Sequence, residues 1–177
     1  MNRFTFAALA IGLLALPVAA QAKIHPVKAP PAPAPLTRTY PKPDAPIAAT
    51  VVVPPGYETI YVSGMVPDVA DATATPGTIA AYGNTETQTE SIIGKLQAAL
   101  KAQGADLGDV VSMHVFLAGD PAMDNKMDFA GMMKAYLRHF GTPDQPNRPV
   151  RATVQVAALA APGFLAEIEV IAVKPVK

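Results

Sequence analysis

Two charged residues stand inside segments that are otherwise largely apolar. Arg151 lies in Val150-Arg-Ala-Thr-Val-Gln-Val156, and Glu167 lies in Leu165-Ala-Glu-Ile-Glu-Val170. Runs of this composition form strands, and a charge in such a strand needs a partner or a pocket. A guanidinium offers a planar fork to a carboxylate, and a carboxylate can hold a water and move its proton. The competing reading is that alternation puts Glu167 and Glu169 outward together as solvated surface. Residue types alone weigh the two readings about equally. The short turn Ala161-Pro-Gly163 between the segments allows the two strands to pair antiparallel.

Other chemistries find little support. The chain has no cysteine, which excludes thiol catalysis, disulfides and cysteine metal sites. His25, His114 and His139 lack ligand spacing, so no metal site is expected. His114, inside a strand, reads as a structural residue and not as a base. The glycines form no phosphate loop, and Ser63-Gly64 lacks the setting of a nucleophile elbow. A formal net charge of +0 gives no footprint for a nucleic-acid backbone. Met123, Met127, Met132 and Met133 sit on or near a helix and read as packing residues.

The elements that position Arg151 and Glu167 follow a length of 177 residues, half of them hydrophobic, which suits one domain with a sizeable core. Residues 1–22 have the layout of a secretory signal: Arg3, an apolar run closed by Pro17, and a small-x-small site at Ala20-Gln21-Ala22. The expectation is export, to the periplasm, with no membrane-spanning segment left in the mature chain. Residues 23–46 are rich in proline and alanine and read as an extended spacer. The domain is expected over 47–177.

Within it, Thr50-Val-Val-Val53 and Thr59-Ile-Tyr-Val62 predict two strands joined as a hairpin. Residues 65–83 read as loop, with room for a short edge strand. Asn84 or Thr85 opens a helix, Thr85 with Gln88 three residues later fitting a capping box, and its stripe is Ile92, Ile93, Leu96, Ala99 and Leu100. The continuous apolar run of residues 110–117 predicts a central strand. A second helix is expected over 127–140, opened near Asp128 and closed by Gly141. Two final strands follow. The fold class is α+β: a mixed sheet with two helices packed on one face. The other face would stay exposed and apolar, which argues for self-association.

Several segments resemble the RidA/YjgF family, small imine deaminases also known as the L-PSP endoribonuclease family. Ile60-Tyr-Val-Ser-Gly64 resembles its first signature. Gln88-Thr-Glu with Leu96-Gln-Ala-Ala-Leu100 resembles its first helix. The strand Asp109-Val-Val-Ser-Met-His-Val-Phe-Leu117 and the helix residues Asp128, Phe129, Tyr136 and Phe140 match in turn. The most specific parts are Asn147-Arg-Pro-Val-Arg151-Ala-Thr153-Val and Glu167-Ile-Glu-Val-Ile-Ala172.

The resemblance spans about residues 47–174. It implies a chorismate-mutase-like fold assembled as a homotrimeric barrel, with clefts between subunits and no cofactor. It also implies hydrolysis of small 2-imino or enamine carboxylic acids to keto acids and ammonia. Arg151 would bind the substrate carboxylate, Glu167 would act on the water as the catalytic residue, and Thr153 and Gly64 would line the site. The family's Gly-Pro-Tyr-Ser is absent, replaced by Ile47-Ala-Ala-Thr-Val51, and Met133 stands where an asparagine is usual. Both changes make the cleft more apolar. A non-catalytic trimeric protein that binds small carboxylates is the alternative. Ribonuclease activity, attributed to some members, is disfavoured by the neutral charge and by the lack of an aromatic stacking platform.

Overall fold

The computed structural model describes residues 32–176. The expected signal segment lies outside the described residues. Six strands and three helices follow in order: β1 (Thr37–Thr39), β2 (Thr50–Val52), β3 (Tyr57–Met65), α1 (Ile79–Tyr82), α2 (Thr85–Ala102), β4 (Val110–Ala118), α3 (Phe129–Tyr136), β5 (Val150–Val156) and β6 (Ala166–Pro175). The main sheet has the order β3-β6-β4-β5 and is mixed. β6 runs antiparallel to both β3 and β4, whereas β4 and β5 are parallel.

The core lies between this sheet and the two long helices. Ile92, Ile93, Leu96 and Leu100 of α2 join Met132 and Tyr136 of α3. They cover Val110, Met113, Val115 and Leu117 of β4 and Ala166, Ile168, Val170 and Ala172 of β6. Both central strands alternate buried and less buried positions, so one sheet face carries the core and the other stays open. Each valine, leucine, isoleucine or methionine among them contributes roughly 1.5–3 kcal/mol by leaving water.

Four local expectations are corrected. Thr50–Val52 does not form a hairpin with the next strand; it pairs with β1, and β3 pairs with β6 instead. The partner strand lies in the stretch read as spacer, so residues 32–46 belong to the fold. Proline removes backbone donors there, and the segment is tied instead through its carbonyls. Arg148 donates to Pro43 O (3.1 Å), Tyr136 Oη to Pro46 O (2.9 Å) and Tyr57 Oη to Ala34 O (3.2 Å). Arg38 of β1 in turn donates to Gly108 O and Val110 O at the start of β4.

Second, Met65 ends β3, and residues 66–83 form no strand and contain the short helix α1. Third, of the two cap candidates for α2 it is Asn84 that serves, its side chain accepting from Thr87 N (3.0 Å), and the Thr85–Gln88 capping box does not form. Gln88 is fully buried and does not serve as a capping-box partner. Its Nε2 donates to Gly83 O and Gly163 O (both 2.9 Å), and its Oε1 accepts from Leu165 N (2.7 Å). Fourth, β5 and β6 are not neighbours. β5 reaches β4 by a crossover through α3 and pairs in parallel, so β4 stands between them.

Candidate active site

The sheet register decides where each candidate side chain points. Arg151 sits beside Met113 and Thr153 beside Val115. Both neighbours are core residues, so Arg151 and Thr153 face the helices from the edge strand. Glu167 sits beside Phe116, in the alternate set that faces the open side. Within one chain the two charges therefore occupy opposite sheet faces. The structure brings Arg151 together with Thr153, and Glu167 together with Gly64, but it does not bring the two pairs together.

Arg151 is half-buried and held by α3. Its guanidinium carbon lies 4.4 Å from the ring centre of Tyr136 and 5.9 Å from that of Phe129. Its Nη2 stands 3.1 Å from Met133 Sδ, and its Nη1 4.0 Å from Met132 Sδ. Thioethers are weak acceptors. No carboxylate pairs with Arg151 among the described residues. Burial pushes its pKa below the usual arginine value, with the Tyr136 phenol opposing. The group stays protonated nonetheless, so it is a partly desolvated cation without a counter-ion. Burial pushes the Tyr136 phenol up to about 12, so this ring remains a neutral donor to Pro46 O. Beside the arginine, the buried Thr153 Oγ1 has no hydrogen-bond partner.

Glu167 is shaped from the other side by a bulge in β3. Val62 pairs with Val170 and Met65 with Ile168, so Ser63 and Gly64 occupy a stretch where one partner residue is expected. The bulge swings the Gly64 backbone against Glu167: a Cβ there would lie 3.0 Å from Glu167 Cδ and closer still to Oε1. Only a residue without a side chain leaves this carboxylate in place. Two residues along β6, Glu169 Oε1 accepts from His114 Nδ1 at 2.8 Å across the β4–β6 ladder. The pair borders a dish of about 190 Å³ on the open face, with Tyr61, Ser63 and Ser112 around it.

Sequence reasoning gave His114 no partner, because the β4–β6 register was not legible. It also missed the aromatic and thioether cradle of Arg151. The spacing Phe129, Met133, Tyr136 was its signal, since residues three and four apart share a helix face. Among the described residues, no group of three or more His, Asp or Glu side chains could hold a metal ion. No helix among them is long and apolar enough to cross a membrane.

A mixed sheet with helices on one face, an edge-strand arginine without an acidic partner among the described residues and a glycine-backed carboxylate define a small α+β protein. The endoribonuclease L-PSP family model matches residues 39–174. A RutC family protein of Pyrococcus abyssi is 32% identical over 78% of this chain and 94% of its own length. The crystal structure of a Thermotoga maritima protein assigned as an endoribonuclease is 35% identical, covers 76% of this chain and 91% of that one, and has a TM-score of 0.50. E. coli TdcF with bound serine is 27% identical, covers 66% and 80%, and also has a TM-score of 0.50. The chain belongs to this endoribonuclease L-PSP family, the RidA/YjgF family whose motifs it carries.

Proposed function

We propose that the protein hydrolyses 2-imino carboxylic acids to 2-keto acids and ammonia, in a site completed by a second copy of the chain. The observation that carries this reading is the half-buried Arg151 guanidinium with no acidic partner among the described residues. A carboxylate on its fork would replace two weak sulfur contacts with charge-assisted bonds. The serine held by E. coli TdcF is a small molecule with such a carboxylate, which supports this ligand class.

The chemistry asks for modest help, because a protonated imine is already electrophilic. Arg151 fixes the carboxylate and thereby the imine carbon. Glu167 holds the water. As the water oxygen bonds to the imine carbon, its proton passes to Glu167 and then to the nitrogen. The C–N bond breaks with its electron pair leaving on ammonia, and the remaining hydroxyl proton passes to Glu167 as the carbonyl forms. Thr153 Oγ1, buried beside Arg151, has a free hydrogen-bonding group for the substrate.

Because Arg151 and Glu167 face opposite sides of one sheet, each active centre would combine the two half-sites from neighbouring chains. The open sheet face, with Tyr61 78% and Val154 48% exposed, supports association through that face, and we propose a homotrimer. The signal-like segment at residues 1–22 supports export, so the reaction would take place in the cell envelope.

The same opposition of faces favours a second reading, a protein that binds small carboxylates without turning them over. Glu167→Gln separates the two. A deaminase loses turnover and keeps carboxylate affinity. A binder has no turnover to lose, so a wild type inert toward several imines but able to bind keto acids would decide for it.

A further inference from the structure

The surroundings of Arg151 say more than its charge does. Phe129, Met133 and Tyr136 lie on one face of α3 and look onto the guanidinium. Tyr136 is buried and occupied by its bond to Pro46 O. Phe129, by contrast, is 43% exposed, and Met133 is only half-buried. A large ring and a thioether thus stand partly open to solvent beside an unpaired cation. Exposed apolar surface next to a binding group is surface that a ligand can cover.

We propose that Phe129 and Met133 set substrate preference toward 2-imino acids with bulky apolar side chains, branched aliphatic or aromatic, over those with a methyl or hydroxymethyl group. The inference rests on the carboxylate-anchoring role of Arg151. A ligand seated on the fork carries its substituent beside the guanidinium, where the Phe129 ring and the Met133 thioether offer apolar contact. A hydroxyl placed there meets a weak sulfur acceptor and a ring, and gives up its water. Met133 is a pliable thioether that adapts to substituents of different shape.

Calorimetric titration of the full chain with two stable keto acids tests this without needing turnover. Pyruvate carries a methyl group and 4-methyl-2-oxopentanoate an isobutyl group. Partial burial of the additional carbons predicts about tenfold tighter binding of the larger acid. Phe129→Ala and Met133→Asn should each bring that ratio below about threefold, on the scale set by one or two lost methylene contacts. Met133→Leu keeps the apolar volume and should keep the ratio. Thermal melts of each variant establish that it is folded.

Equal affinity of the wild type for both acids, abolished by Arg151→Ala, would overturn the preference and leave the anchor standing. A ratio that survives both Phe129→Ala and Met133→Asn would also overturn it. Binding of neither acid would remove the anchor and the preference together. A tenfold ratio in a protein that fails to hydrolyse any imine would uphold the preference and refute the hydrolase reading alone.

Discussion

Replacing Gln88 by leucine should cost the fold far more than its place on a polar-looking helix turn suggests. The side chain is fully buried and makes three hydrogen bonds, at 2.9, 2.9 and 2.7 Å. They join Gly83, between α1 and α2, to Gly163 and Leu165 in the loop that leads into β6. Leucine fills a similar volume but leaves the Leu165 N–H and the Gly163 and Gly83 carbonyls without this partner. An abandoned buried polar group costs about 1–3 kcal/mol, and partial relaxation brings the total to about 3 kcal/mol. For a domain of this size that corresponds to a fall of roughly 10 °C in Tm. The assay is thermal and urea unfolding of Gln88→Leu beside Lys42→Ala. Lys42 forms only an exposed pair with Asp44, so its loss should fall within about 0.5 kcal/mol. A Gln88→Leu loss below about 1 kcal/mol, with an unchanged urea slope, would refute the reasoning: the amide would then not be the brace that holds the start of β6.

Other consequences can be measured on the same material. Arg151→Lys keeps the charge and loses the fork, so kcat/KM for imine hydrolysis should fall about 10- to 100-fold with the melting temperature little changed. Gly64→Ala should reduce kcat by a similar factor of about 10- to 100-fold, because the new Cβ displaces the Glu167 carboxylate while β3 itself accepts alanine. Wild-type kinetics in that variant would remove Glu167 from the mechanism. The acid arm of stability should report Glu90. Burial alone would raise its pKa, but hydrogen bonds and charges from His139 and Arg138 outweigh that and hold it below 4.5. A depressed carboxylate stabilises the fold above its unfolded pKa, and that contribution disappears as pH falls below about 4.5. Melts of wild type and Glu90→Gln should therefore differ at pH 6, by about 1 kcal/mol or less for so exposed a network, and converge toward pH 3. Expression with export should yield a chain beginning at Lys23, visible as a single intact mass; a retained residue 1 would refute cleavage at Ala22.

Much of the fold was legible because it is written in local periodicity. The stripe from Ile92 to Leu100 fixed α2, the unbroken run of residues 110–117 marked a central strand, and alternation across Glu167, Ile168, Glu169 and Val170 gave β6 its two faces. Partner choice was not legible in the same way. Thr50–Val52 found β1 inside a proline-rich stretch, where composition hides a three-residue strand followed by carbonyls, at Pro43 and Pro46, that accept from Arg148 and Tyr136. The parallel pairing of β4 and β5 depends on the α3 crossover, which a short turn before β6 gave no reason to expect. The site divides along the same line. Arg151 and Glu167 stood out as charges in apolar strands, yet their placement on opposite faces is a property of register across three strands. The bulge that presents Gly64 to Glu167 is likewise a pairing feature.

The central claim is most directly tested by following freshly generated 2-imino acids in the presence of wild-type protein, Arg151→Ala and buffer alone. The wild type should accelerate the appearance of keto acid and ammonia in equal amounts, and Arg151→Ala, folded and assembled like the wild type, should return the rate to that of buffer. Acceleration that persists in Arg151→Ala, or none with the wild type across imines of both small and bulky side chains, would contradict it.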